Sequence, residues 1–356
     1  MGLHINGSRR TGCAAVAALA VLAVCGSASP PAEAQAVAPA ADEPAPLTLR
    51  GYLLDLRKGR FTTIAPPDAI ATKVGEINNR GEIVGGYSDG TAVHNFLRDR
   101  KGRYTTIDPP GAAGLEIGTN DINDRGEIAG WYVDAAGTYR SFLRDRRGAF
   151  TAIEHPDANG TSPYGSGRGV YGINDRDEMV GTYAAGGTIH GFVRDRKGAF
   201  TTIDYPGAAE TSLVEINERG QLVGSYSEVP GAMNAAPRNF VLDMDRGVYT
   251  PIEPPGATYA VVDDINNRGE IVGLFIDAGG RYHGFLRDRR GAFTTIDHPD
   301  SAPLGGAAGG IDDHGRIVGE YYDYVSTDTR ESGLRRSSPY GADEPLSLLP
   351  GLGLPE

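Results

Sequence analysis

The sequence predicts an all-β protein, a six-bladed β-propeller of four-stranded blades whose last blade is closed by strands from both ends of the repeat region. A short phrase, "INDRGEIAG" in one copy, recurs around Ile77, Ile122, Ile173, Ile216, Ile265 and Ile311, at spacings of 45, 51, 43, 49 and 46 residues. A repeat of that length without helical periodicity is the mark of a propeller or a solenoid. A second phrase, "HGFLRDRRGAFTTID" in its clearest copy, is anchored by Tyr52, Phe96, Phe142, Phe192, Phe240 and Phe285. The third observation decides between the two architectures. The repeat region opens on the second half of a unit, "RGYLLDLRKGRFTTI", and stops after a first half, "IDDHGRIVGEYYD". The halves complement each other, and joining them removes the exposed edges an open array would leave.

Residues 1–34 are expected to be a signal peptide. Arg9 and Arg10 precede the apolar run "GCAAVAALAVLAVCG", and small residues and "AEAQ" follow, placing cleavage after Ala34. Cleavage removes Cys13 and Cys25, the only cysteines, which fits export and excludes disulfide or thiol chemistry. "SRRTGCA" has partial likeness to a twin-arginine signal, and "LAVCG" to a lipoprotein site with Val24 in place of a small residue. The expected location is secreted or periplasmic. Residues 35–48 read as a flexible linker, 49–325 as the propeller, and 326–356 as a disordered tail rich in proline, serine and mixed charge. No segment after the signal is long and apolar enough to cross a bilayer. A net charge of -12 disfavours nucleic acid and anionic membranes as partners. A monomer is expected.

Each period holds four short runs rich in β-branched and aromatic residues, strands A to D. "NNRG" at 78–81 and "DRKG" at 99–102 put Asn or Asp first and Gly fourth, the pattern of a type I turn completed by a left-handed residue. Asp177 takes the glycine position in one copy, and Asp enters that region more readily than most residues. Alternating strand direction sends the A–B and C–D turns to one face, and the B–C and D–A loops to the other. Arg80, Arg125, Arg176, Arg219 and Arg268 fall on the turn face, which is expected to be comparatively basic. Acids ending strands B and D, together with Glu76, Asp121, Glu215 and Asp264 near the central channel, are expected to make the loop face acidic. At the start of strand C, Arg50, His94, Arg140, His190, Arg238 and His283 read as pairing partners of the strand-B acids, with Arg50 meeting Asp323 across the closing blade.

"INDRGEIAG" together with "HGFLRDRRGAFTTIDHP" resembles the HAF-repeat family, a set of predicted extracellular bacterial repeat proteins, over roughly residues 50–324. The resemblance implies an exported, propeller-like repeat protein. It brings no activity and no catalytic residue.

The residues give no catalytic centre either. "GRGVYG" at 167–172 has the glycine spacing of a dinucleotide fingerprint but precedes a strand, with no helix N-terminus to hold a phosphate. "DINDRG" puts arginine where a calcium loop needs an oxygen ligand. His94, His190 and His283 lie on third strands of separate blades, too far from the axis to share a metal. Carboxylates recur in nearly every blade, whereas a glycosidase pair should be singular. No catalytic residue, metal or cofactor is therefore assigned.

Function is sought where the copies differ. One strand-B slot holds Gly86, Trp131, Thr182, Ser225, Leu274 and Glu320, and the loops at 154–172 and 227–239 are the longest. These features place ligand binding on the loop face around the second and third blades, at Trp131, Asp134, Tyr164, Arg168 and Tyr171. Aromatic rings supply contact area there, and Arg168 and Asp134 supply orientation. The expected function is an exported, non-enzymatic binding or interaction propeller for a glycan, a peptide or another envelope component. One alternative is an extracellular enzyme acting on a glycan or lactone with a divalent cation in an acidic channel. The other is a structural cell-envelope protein. An unpaired, strongly pKa-shifted carboxylate in a deep channel would favour the enzyme.

Overall fold

The structure is a computed structural model that describes residues 47–158, 169–233 and 237–324, without the side chains of 113–119. Its first strands, β1 (Leu47–Asp55) and β2 (Arg60–Ile64), belong to the last blade. Blade 1 follows as β3 (Ala71–Ile77), β4 (Ile83–Ser88), β5 (Val93–Arg98) and β6 (Tyr104–Thr106). Blade 2 is β7 (Ala112–Ile122), β8 (Ile128–Asp134), β9 (Tyr139–Arg144) and β10 (Phe150–Ile153). Blade 3 is β11 (Gly169–Ile173), β12 (Met179–Ala185), β13 (Thr188–Arg194) and β14 (Phe200–Ile203). Blade 4 is β15 (Glu210–Ile216), β16 (Gln221–Ser227), β17 (Arg238–Asp243) and β18 (Val248–Ile252). Blade 5 is β19 (Tyr259–Ile265), β20 (Ile271–Ile276), β21 (Tyr282–Arg287) and β22 (Phe293–Ile296). Blade 6 combines β23 (Gly306–Ile311) and β24 (Arg316–Tyr324) with β1 and β2, in the order β2-β1-β24-β23.

All six sheets are antiparallel meanders of four strands, and the first strands of successive blades meet around the axis, β23 closing on β3. The six-bladed propeller expected from the half-repeats is the observed fold. Its closure runs the full length of β1, from Leu47 opposite Tyr324 to Asp55 opposite Arg316. Arg50 faces Asp323 at 3.7 Å, as the strand-C pattern required. No helix among the described residues is long and apolar enough to cross a membrane.

The turn chemistry works as the residue types dictate. In the first A–B turn Gly81 has φ 78° and its N–H donates to the Asn78 carbonyl at 2.9 Å. Asn78 Oδ1 accepts from the N–H groups of Arg80 and Glu82, at 3.1 and 3.0 Å. Asp177 adopts φ 63° and gains an ion pair with Arg125 of the preceding blade, which a glycine could not offer.

The core lies between blades. Five phenylalanines and Tyr52 anchor it, each no more than 2% exposed. Tyr52 is the one anchor with a hydroxyl, and it donates to the Ala307 carbonyl at 2.9 Å. The D–A connections add a device that the sequence read only as loop. His155, Tyr205 and His298 stack on the strand-B rings Tyr183, Tyr226 and Tyr321 of the next blade, at 3.7, 3.7 and 3.8 Å. Buried Pro66, Pro109 and Pro254 hold the same position in the other connections. Each blade thus clamps its neighbour with one flat side chain.

Candidate functional site

Three tiers of side chains line the axis, and they differ in how far their polar groups are satisfied. Nearest the turn face, Asn79, Asp124, Asp175, Glu218, Asn267 and Asp313 surround a well of about 80 Å³. Their main chains are tied forward from blade to blade. The Asn79 N–H donates to Asp124 at 2.7 Å, that of Glu218 to Asn267 at 2.8 Å, and that of Asp313 back to Asn79 at 2.7 Å. Beneath them, Asn78, Asn123, Asn174, Asn217 and Asn266 each donate from Nδ2 to the next blade's main-chain carbonyl, over 2.9 to 3.4 Å.

The middle tier is Glu76, Asp121, Glu215 and Asp264, each 4 to 6% exposed, with Gly172 and Gly310 in the two remaining blades. Asp121 accepts from the N–H of Ile122 and, in the next blade, of Ile173, both at 2.5 Å. Asp264 does the same for Ile265 and Ile311, at 2.5 and 2.6 Å. The glycines are what make this possible. A Cβ on Gly172 would lie 2.5 Å from Glu215 Oε1, and one on Gly310 would collide with Glu76. Glu215 therefore leans over Gly172 to hydrogen-bond Asp121, and Glu76 leans over Gly310 to hydrogen-bond Asp264. Around the ring the order is Glu, Asp, Gly, Glu, Asp, Gly, a two-fold pattern within a six-fold frame. Burial, and then the neighbouring carboxyls, push Glu76 and Glu215 well above the usual carboxylate range. Burial raises Asp121 and Asp264 to about 7. A hydrogen bond between two carboxyls requires that at least one member of each pair be protonated.

This corrects the charge assignment by face. The four acids stand two residues before the turns, so they lie at the turn-face end of the channel. The turn-face arginines are largely spent as well: Arg125 pairs with Glu127 and Asp177, Arg176 with Glu178, and Arg268 with Glu270.

The loop-face tier is different. Every innermost strand carries a β-bulge two residues before its anchoring isoleucine, at or beside Gly75, Asn120, Tyr171, Val214, Asp263 and Gly309. A bulge re-aims the extra side chain. Gly75 and Gly309 add no side chain there, while Asn120, Tyr171, Val214 and Asp263 are four unlike side chains, and all six residues are partly open to solvent. Their variability was legible in the sequence, but without the bulge nothing marked the position as axial. Asp263 makes no hydrogen bond or ion pair among the described residues, and burial followed by the nearby Glu320 raises it to about 8. Burial raises Glu320, with Lys73 opposing.

The expected ligand residues are distributed as follows. Trp131 is partly buried between blades 2 and 3, where a Cβ on Gly169 would touch its own Cβ at 4.0 Å, and its ring lies 5.4 Å from that of Tyr139. Tyr171 is the bulge residue of blade 3, and burial raises its phenol. Asp134 is engaged at home: Oδ1 accepts from the N–H of Ala136 and Thr138, both at 2.9 Å, and Oδ2 meets Arg140 Nε at 3.1 Å. Tyr164 and Arg168 lie outside the described residues.

No protein-family model and no curated protein matches the sequence. Solved structures do match. One from Agrobacterium tumefaciens, assigned to TolB, aligns over 79% of this chain and 99% of its own at 11% identity, with a TM-score of 0.56. TolB from Acinetobacter baumannii aligns over 66% of this chain and 54% of its own at 13% identity, TM-score 0.46. Virginiamycin B lyase from Staphylococcus aureus aligns over 76% and 87% at 15% identity, TM-score 0.41. At such identities the likeness to the Agrobacterium structure is one of fold alone: this chain is built as a β-propeller of that general kind.

Proposed function

We propose that this chain is an exported propeller of the HAF-repeat kind that binds its ligand on the loop face, at the mouth of the axial channel. The contrast between the two ends of the axis carries the proposal. At the turn-face end, side chains and main-chain groups of successive blades hydrogen-bond to one another around a small well. The loop-face end presents the bulge residues Asn120, Tyr171, Val214 and Asp263, with Trp131 beside Tyr171 at the blade 2–blade 3 junction. Groups that satisfy one another hold a fold together. Unlike, solvent-touching groups at one end of a channel are what a ligand site needs.

Trp131 is the only tryptophan, so its emission reports on this face. Titrating the protein with a library of glycans, peptides and small metabolites should change that emission for one class. Trp131→Phe should remove the signal and leave folding intact. A library that binds only to variants with a disrupted loop face, or not at all, overturns the proposal. Acid–base catalysis is the second reading, favoured by the unpaired Asp263. Product analysis on the same library separates the two, because a binding protein returns every ligand unchanged.

A further inference from the structure

Arginines of the A–B turns are paired, but the cations at the tips of the C–D turns are not. Blade 1 carries Arg100 and Lys101 there, blade 2 carries Arg146 and Arg147, and blades 3 and 5 repeat the pattern. All are exposed, and none makes a side-chain hydrogen bond or ion pair among the described residues. The aspartate that opens each turn is spent on the turn's own main chain. Asp99 Oδ1 accepts from the N–H groups of Lys101 and Arg103, both at 2.9 Å, and Asp145 Oδ1 from those of Arg147 and Ala149, at 2.9 and 2.8 Å.

Blade 6 adds a cavity to this arc. Its turn, "DLRKG", is one residue longer than "DRKG" of blade 1, and the Leu56 N–H donates to the Gly315 carbonyl at 3.0 Å, tying it to the A–B turn of its own blade. Between these turns and blade 1 lies a cavity of about 360 Å³ lined by Asp55, Arg57, Lys58, Asn79, His314 and Arg316. The one acid lining it is already met, since Lys58 Nζ stands 2.8 Å from Asp55. Asp312 nearby is buried and satisfied by the N–H groups of His314 and Arg316 and by the Arg316 guanidinium. Arg57 has no such partner, and the His314 ring is more than half exposed. Blade 4 has a turn of the same length, "DMDRG", but Asp245 takes a cation's place and Arg246 pairs with Asp243 at 3.7 Å. The arc therefore runs from blade 5 through blades 6, 1 and 2 to blade 3, and is interrupted at blade 4.

We propose that an acidic polysaccharide binds along this arc, with one of its acid groups seated in the blade 6–blade 1 cavity among Arg57, Lys58 and His314. The site is on the face opposite the loop-face mouth and stands independently of it. The net charge of -12 does not oppose this, because exposed charges more than about 8 Å away are screened at physiological salt. A linear polyanion can follow the rim and keep clear of Asp124, Asp175, Glu218 and Asp313 around the axial well. A flat anionic bilayer would cover those acids too, and the face offers it no apolar anchor along the arc. Of the exposed large hydrophobics, Leu47, Ile70, Val229 and Tyr324 lie toward the loop face, and Val248 stands in blade 4. The turn tips carry no aromatic ring on which a nucleic-acid base could stack. Guanidinium forks, the commoner group on the arc, suit sulfate and phosphate esters.

The test is calorimetry at pH 7 in physiological salt, with dextran sulfate against uncharged dextran of equal length. Dextran sulfate should bind, and dextran should give no heat. Arg57→Ser with Lys58→Ser should weaken dextran sulfate by about tenfold, the loss expected for charge-assisted hydrogen bonds, at an unchanged melting temperature. Arg238→Ser with Arg246→Ser removes the same charge away from the arc and should bind within about twofold of the parent. The inference is overturned if dextran sulfate does not bind, if dextran binds equally well, or if the two double variants bind dextran sulfate alike. It is also overturned if phosphatidylglycerol vesicles or a single-stranded oligonucleotide bind more tightly than dextran sulfate, which would make the arc a membrane or nucleic-acid surface. Should the blade 6 variant fail to fold, Arg100→Ser with Lys101→Ser takes its place in the same comparison.

Discussion

Gly172 and Gly310 carry more of the axis than any acid beside them. In the sequence they look like gaps in a ring of carboxylates; in the fold they are the spaces into which Glu215 and Glu76 lean. Gly310→Ala should drive a methyl group into the Glu76 carboxyl and cost about 1–3 kcal/mol by overpacking, measured as a lower denaturant midpoint. The protons held by the axial carboxyl pairs also set a pH dependence. Asp121 and Asp264 hold their protons up to about 7 in the fold, against an ordinary value of 3.8. A raised folded-state value stabilises fully below the unfolded value, and that stability is lost as pH rises through the folded one. His298 works in the opposite sense: burial lowers it from 6.5 to about 4, so its contribution is present above 6.5 and lost on acidification. Above 6.5 only the carboxyls act, and the melting temperature should fall between pH 6.5 and 8.5. Glu76→Gln with Glu215→Gln supplies permanent donors and should lessen that slope, the remainder belonging to Asp263, which burial raises to about 8, and an unchanged slope would refute the proton held by each axial pair. Little of this was legible beforehand, because the sequence marks which residues are acidic but not which of them face one another. The bulge residue Asp263 was missed for the same reason: a strand read with strict alternation does not show where an inserted residue turns toward the axis.

At the scale of the element, the six A–B turns show one deliberate exception. In five blades the turn begins with Asn, whose amide donates both to the Glu or Gln four residues on and to the next blade, as Asn78 does to Glu82 and Asn123. In the sixth, Asp312 and Arg316 exchange the roles. Asp312 is fully buried and accepts from Arg316 at 2.5 Å, and Arg316 Nη2 donates across the seam to the Asn79 carbonyl at 3.2 Å. Arg316→Ala strands a buried carboxylate and should cost about 3–5 kcal/mol. Adding Asp312→Asn should recover much of that loss, since the amide needs no cation. Equal stability of the single and double variants in urea melts would refute the assignment. The order of strands and the positions of the turns were readable, because each copy repeats the same alternation and the same Asn or Asp to Gly spacing. The exchange at the seam was visible as "DDHGR" in place of "NNRGE", but it has meaning only once blade 6 lies against blade 1.

For the whole molecule, blade count and closure followed from the half-repeats because a propeller leaves few ways to dispose of two unpaired halves. Deleting residues 47–64 should remove two strands of blade 6, bare the edge of β24 and lead to unfolding or oligomerisation. Size-exclusion chromatography showing a stable monomer would contradict this. The position of β1 has a further consequence, one of timing. It lies inside its sheet, between β24 and β2, with its main partner at the opposite end of the chain. The strand made first is thus the last to find its place, and contacts this remote slow folding because the chain must close its largest loop to form them. A circular permutant that joins Tyr324 to Leu47 through a short glycine linker and opens between Ile64 and Ala71 makes that pairing a local hairpin. Such a permutant should refold faster than the parent in stopped-flow dilution from urea, with its unfolding rate little changed, so that the distance along the chain between β1 and β24, rather than the finished ring, governs how quickly this protein becomes whole.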